Sequence, residues 1–173
     1  MTIEGNETVA FRPDVLTTSA YGRLLEGMLE QAAGYALSIL RNRADAEDAV
    51  QQAALRGLER LSLYDPRQPF RGWWFTVLRH CCIDLLRSRR AHASLGQAEC
   101  QAARLGNPTH WQDLAEALDR LEPQQAEMLR LRYFAGLTYD ELGQALAIPK
   151  GTVASRLHYA RKALSSQMKG SEP

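Results

Sequence analysis

The stretch from Gly136 to Leu164, GLTYDELGQALAIPKGTVASRLHYARKAL, constrains this chain more than any other, because local signals write out two short helices and the turn between them. Thr138 is placed to cap the first helix. Glu141, three residues on, completes a capping box, and Leu137 is set to staple onto Leu142. Ile148-Pro149-Lys150-Gly151 then interrupts the pattern, with Pro149 suited to a first helical turn and Gly151 expected to let two helices approach closely.

On the second helix Val153, Leu157, Ala160 and Leu164 recur at helical spacing and form a stripe that must face inward. Ser155, His158, Tyr159 and Lys162 then face away, with Lys150, Arg156 and Arg161 on the flanks or at the helix start. No acidic residue occurs between Glu141 and Glu172. Cations on the flanks suit phosphates, and polar groups at the centre suit base edges in a major groove. The pattern therefore predicts a DNA-binding helix-turn-helix. The plainer alternative is an amphipathic helix pair with a solvated basic face.

A chain of 173 residues, 45% hydrophobic, can hold one large domain or two small ones. Two are expected, because residues 90–107 are rich in Ala, Gly, Gln and Ser and break the periodicity on either side. The net charge of +1 conceals an asymmetry: Glu4, Glu7, Asp14, Glu26 and Glu30 make the start acidic, whereas Arg79, Arg87, Arg89 and Arg90 form one basic cluster and the last helix another. Two cationic patches suit two contacts with a polyanion. The first residues lack a basic region followed by an apolar core, and no run approaches membrane-spanning length, so a cytoplasmic protein with no membrane segment of its own is expected. Cys81, Cys82 and Cys100 are an odd number without C-x-x-C spacing. Successive helical residues point about 100° apart, so His80, Cys81 and Cys82 cannot converge on one ion, and no metal or cofactor is expected. Buried thiols acting as small apolar groups are the expectation.

The N-terminal half reads as three helices. The first has a broad apolar face from Leu24 to Leu40; the second runs from Asp45 to Leu61 with Asp45, Glu47 and Asp48 in its first turn; the third runs from Phe70 to about Arg90. Tyr64-Asp65-Pro66-Arg67-Gln68-Pro69 between them is a loop bracketed by prolines. Trp73 and Trp74 cannot both face inward, and Trp73 is assigned to the core. No strand pattern occurs. The expected fold is all-α, two small helical domains joined by a flexible linker.

Leu118-Asp119-Arg120-Leu121-Glu122-Pro123, Leu129 to Phe134, Gly136 to Leu142 and Gly151-Thr152-Val153-Ala154-Ser155-Arg156-Leu157 resemble region 4 of bacterial sigma factors. Alone, that half could also be a response-regulator output domain. The other half decides: Ala44 to Gln51, Tyr64-Asp65-Pro66, Pro69-Phe70-Arg71-Gly72-Trp73 and Ile83 to Arg90 resemble region 2 of the extracytoplasmic-function (ECF, group IV) sigma factors, in the same order. The resemblance implies an N-terminal extension over 1–18, region 2 over 19–90, a linker over 91–110 and region 4 over 111–173. It implies that Asp45, Asp48 and Gln51 dock the β′ coiled coil of core RNA polymerase, with the β flap a further contact. Tyr64, Trp73, Trp74, Arg79, His80, Arg87, Arg89 and Arg90 would hold and melt the minus-10 element, the loop from Tyr64 to Phe70 capturing an unstacked base. Lys150, Thr152, Ser155, Arg156, His158, Tyr159, Arg161 and Lys162 would bind the minus-35 element. It further implies an anti-sigma factor as partner and promoter opening without a catalytic step. His80 stands where Asn is common, and Ala54 and Leu58 where aromatics are common, which bears on the promoter sequence read. The alternatives are a duplex-binding repressor or activator, which would not need the aromatic-basic helix from Phe70 to Arg90, and, more remotely, a nucleic-acid enzyme using His80 and the cysteines.

Overall fold

The computed structural model describes residues 16–94 and 108–169. Within them the chain forms eight α-helices and one 3-10 turn, and no strand. The N-terminal module comprises α1 (Thr18–Glu26), α2 (Leu29–Leu40), α3 (Arg43–Glu59), the 3-10 turn Leu61–Leu63 and α4 (Phe70–Ser94). The C-terminal module comprises α5 (Pro108–Asp119), α6 (Pro123–Tyr133), α7 (Tyr139–Ala145) and α8 (Lys150–Lys169). The 1–18 extension and the 91–110 linker lie largely outside the described residues, as does Cys100.

The first sequence helix is in fact two. Gly27 caps α1, whose last turn ends on the bond from the Met28 amide to the Leu25 carbonyl (2.8 Å), and α2 starts afresh at Leu29. Glycine is the weakest helix former after proline, so an unbroken apolar face does not guarantee an unbroken helix. The break lets α1 lean on α3, where the Tyr21 hydroxyl donates to the Ala54 carbonyl at 2.7 Å. Helix α3 begins earlier than expected because Asn42 caps it, its side chain accepting from the Asp45 amide at 3.1 Å.

Small residues set the interior of this module. Ala46, Ala49, Ala53 and Gly57 recur along the buried side of α3, which makes room for Tyr35, Trp74 and Phe75, all without exposed surface. Tyr35 and Phe75 meet edge to face with centroids 5.7 Å apart, and Trp74 and Phe75 do so at 5.4 Å. The apolar side of α4 thus turns on Trp74, Phe75, Leu78, Cys81 and Cys82, while Leu58 of α3 is 38% exposed.

In the C-terminal module the expected capping box is complete: the Thr138 amide donates to Glu141 at 2.7 Å and the Glu141 amide to the Thr138 hydroxyl at 3.3 Å. Leu137 and Leu142, which flank it, are both fully buried. Helix α7 ends in a Schellman motif, the Ile148 amide donating to the Gly143 carbonyl (2.9 Å) and the Ala147 amide to that of Gln144 (3.2 Å), with Ala147 left-handed at φ 52°. The close approach expected at Gly151 occurs instead at Gly143, where an added Cβ would lie 3.0 Å from the Ile148 carbonyl; Gly151 faces open space.

Candidate functional site

Helix α8 presents the face that its periodicity requires. Val153, Leu157 and Ala160 are buried, and Ser155, Arg156, His158, Tyr159, Arg161 and Lys162 are exposed. Tyr159 is 64% exposed, and its ring meets that of His158 edge to face at 5.7 Å, so the two aromatics stand side by side at the centre of the surface. Thr152 is half-buried near the helix start, its carbonyl accepting from the Ser155 hydroxyl at 3.0 Å. Lys150 is tied by its Nζ to Asp140 of α7 at 2.8 Å. That pair is solvated, so its energy is small and its ammonium stays open to exchange for a phosphate.

The second surface is built on the loop before α4. Tyr64, Phe70 and Trp73 form a triangle of rings, with centroids 5.5 Å (Tyr64 to Phe70), 5.2 Å (Tyr64 to Trp73) and 5.6 Å (Phe70 to Trp73) apart. The loop is braced from within: the Tyr64 hydroxyl donates to the Gln68 carbonyl at 2.7 Å, the Gln68 amide to the Asp65 carbonyl at 2.9 Å, and the Arg67 amide to the Asp65 carboxylate at 3.0 Å. The Arg67 bonds hold the Asp65 carboxyl below its usual range, and burial raises Tyr64. A rigid aromatic platform is what stacking on a base needs.

Trp73, partly buried and packed against the margin of the core, belongs to that ring triangle; Trp74 does not. Trp74 is the core residue of the pair, fully buried with its indole N–H donating to the Tyr21 hydroxyl at 3.2 Å, which reverses the expectation and removes Trp74 from any base contact in this structure. Along α4 the basic residues have unequal freedom. His80, Arg87 and Arg90 are exposed. Burial, then the neighbouring Arg79, lowers the His80 pKa, so the imidazole is neutral at neutral pH. Arg79 instead grips Glu127 of α6, and Arg89 pairs with Asp45 while donating to the Leu40 carbonyl at 3.2 Å.

The third surface is the edge of α3. Asp48 and Gln51 are exposed and unobstructed, whereas Asp45 is drawn into the pair with Arg89. Two residues assigned by sequence to different surfaces thus hold each other. Sequence reasoning passed over Tyr21, Arg41, Arg71 and Glu127, whose roles depend on contacts far along the chain. Cys81 and Cys82 are buried and free, with the Cys82 thiol pushed up to about 12 by burial. Among the described residues no group of His, Cys, Asp and Glu could hold a metal, and no helix is long and apolar enough to cross a membrane.

An all-α chain with a basic helix-turn-helix in one module, and a braced aromatic platform beside an acidic helix edge in the other, defines a DNA-reading transcription protein with a surface left for a protein partner. Residues 24–92 match the Sigma-70 region 2 family and residues 111–164 the Sigma-70, region 4 family. The ECF RNA polymerase sigma factor SigL of Mycobacterium tuberculosis is 32% identical over 142 residues, 75% of this chain and 78% of SigL. The ECF sigma factor EcfG of Rhodopseudomonas palustris is 30% identical over 137 residues, covering 76% of each chain. CnrH, solved in complex with the cytosolic domain of CnrY, superposes with a TM-score of 0.70 at 26% identity over 90% of this chain and 92% of CnrH. The Bartonella quintana sigma factor RpoE, in complex with the anti-sigma factor NepR, shares the fold at the same TM-score of 0.70 and 21% identity, over 90% of this chain and 100% of RpoE. The chain belongs to the ECF RNA polymerase sigma factors and is an alternative sigma factor of transcription initiation.

Proposed function

We propose that the module over 19–90 joins core RNA polymerase through Asp48, Gln51 and their neighbours on α3, and that its Tyr64, Phe70 and Trp73 platform receives an unstacked minus-10 base. In the same reading His80, Arg87 and Arg90 hold the minus-10 strand, and Arg79 and Arg89 join them once their carboxylate partners let go. The module over 111–173 lays α8 in the major groove of a minus-35 element, Ser155, His158 and Tyr159 on base edges and Lys150, Arg156, Arg161 and Lys162 on phosphates. The observation that carries the reading is the coexistence, on one chain, of an outward polar-basic helix face for duplex DNA and a braced aromatic triangle for a single base. A duplex-binding repressor has no use for the second.

Base binding on the platform must exceed the few kcal/mol of unstacking, and binding energy alone can supply this, so the protein carries out no covalent chemistry of its own. Its place is the cytoplasm, with the polymerase and the promoter. The family membership makes an anti-sigma factor the proposed inhibitor of this chain, and CnrH, similar at 26% identity, was solved in complex with the cytosolic domain of CnrY.

The assignment of α8 is tested by selecting promoters from a randomised library with core polymerase and either the wild type or a Ser155/His158/Tyr159 triple Ala variant. The variant should lose its minus-35 preference and keep that at minus-10. Alanine at the basic positions should instead weaken binding to all sequences and flatten the salt dependence. A triple variant that selects the wild-type minus-35 sequence would remove the trio from base readout.

A further inference from the structure

The two modules meet along α4. Near its start α7 lies directly upon it, where a Cβ on Gly72 would stand 3.1 Å from the Glu141 carbonyl. Farther along, the second half of α4, the end of α2 and helices α5 and α6 surround a cavity of about 570 Å³, a volume in the range of small-molecule sites. Ile39, Ile83 and Leu86 of the first module and Leu118 and Leu121 of the second give it an apolar wall. The first three are only half-buried.

The charged part of the lining is unbalanced. Arg79, Arg90 and Arg130 line the cavity with Asp119 and Glu127, and among the described residues no other ionisable group does. Both acids are already engaged. Glu127 takes the fork of Arg79, whose Nη2 lies 3.0 Å from Oε2, and Asp119 is divided between Arg130 at 2.8 Å and Arg41 at 3.1 Å. Arg90 is exposed and has no carboxylate partner among the described residues. The Arg130 side chain is only 13% exposed, yet its Nε has no hydrogen-bond partner. The fully buried Tyr35 hydroxyl, within electrostatic reach of Arg79 and Arg130, has none either. Burial lowers the Arg130 pKa in spite of Asp119 beside it, the mark of a cation short of negative charge.

We propose that this cavity is a binding site for a small hydrophobic carboxylate, its head between Arg90 and the Nε of Arg130 and its aliphatic or aromatic body along Ile39, Ile83, Leu86 and Leu121. Three lining cations against two engaged acids leave room for one negative charge, which fits a monoanion better than a phosphate ester. A planar carboxylate also matches the guanidinium fork, which an alcohol does not. The apolar wall supplies affinity by burial of the body, and the unpaired cation selects the head. Water alone would satisfy the donors but leave the wall wet and the extra cation unmatched.

Calorimetric titration of the full chain with octanoate tests the site. Octanoate should bind once per chain, at least tenfold more tightly than octanol, which has the body without the charge, or acetate, which has the charge without the body. Ile83→Trp, which fills the apolar wall, and Arg90→Gln, which removes the unpaired cation, should each weaken octanoate binding at least fivefold. Circular dichroism identifies a variant that has lost helix; Arg90→Gln alters an exposed side chain and carries the test should Ile83→Trp fail to fold. Octanoate binding no tighter than acetate would leave the cavity to water and overturn the proposal. Octanol binding as tightly as octanoate, or folded variants that bind octanoate as the wild type does, would overturn it equally.

Discussion

Trp73 and Trp74 are adjacent and equally apolar, yet Trp74 is fully buried and Trp73 only partly, at the margin of the same core. Helical geometry establishes that they diverge; only the partner tells which goes inside. Trp74 has a hydrogen-bond partner for its indole N–H in Tyr21, fifty-three residues earlier, and nothing local in the sequence announces that pairing. Tyr21→Phe should therefore act on stability: it leaves the indole N–H and the Ala54 carbonyl without their partner and should cost about 1–3 kcal/mol. Urea unfolding followed by circular dichroism measures it, and a change below about 0.5 kcal/mol would show that water substitutes for the hydroxyl. The thiols were legible for the opposite reason. Their inertness needs only burial, which apolar periodicity already implied, and burial raises both pKa values.

At the scale of elements, α7 and α8 were readable almost to the residue because their signals are local: a capping box spans four residues and an apolar stripe recurs every three or four. The break between α1 and α2 was missed because Gly27 lies inside an apolar pattern that continues across it. The edge of α3 was half read. The resemblance puts Asp45 on the docking edge, but α3 and α4 come together so that Arg89 covers it, a contact between residues forty-four apart in number. The two acids should hence respond differently. Asp48→Lys should weaken binding to core polymerase with the helix content and unfolding midpoint unchanged, because only an intermolecular charge match is lost. Asp45→Lys should lower stability as well, since it leaves Arg89 facing a like charge. Titration against core beside urea unfolding separates them; equal loss of stability in both, or full affinity in Asp48→Lys, would contradict the division.

At the scale of the molecule, the all-α class, two modules and their order follow from sequence, since helical periodicity and the motifs are local to each module, although one apolar cluster runs through both. Their contact does not. It is made by Gly72, Glu127 and arginines whose side chains have no periodic signature, and it takes up Arg79, which in sequence looks like one more cation in a basic run. In the proposed function this one chain supplies both the duplex-reading and the base-capturing surface of a polymerase, and permanganate footprinting of a cognate promoter reports on both at once. Core polymerase with the wild-type chain should yield reactive thymines across minus-10 without ATP hydrolysis, and neither component alone should. Tyr64→Ala, folded and bound to core, should reduce that open complex roughly five- to hundredfold, the loss of stacking worth about 1–3 kcal/mol per base. A promoter that stays closed with both components present, or one that Tyr64→Ala opens at the wild-type rate, would contradict the account.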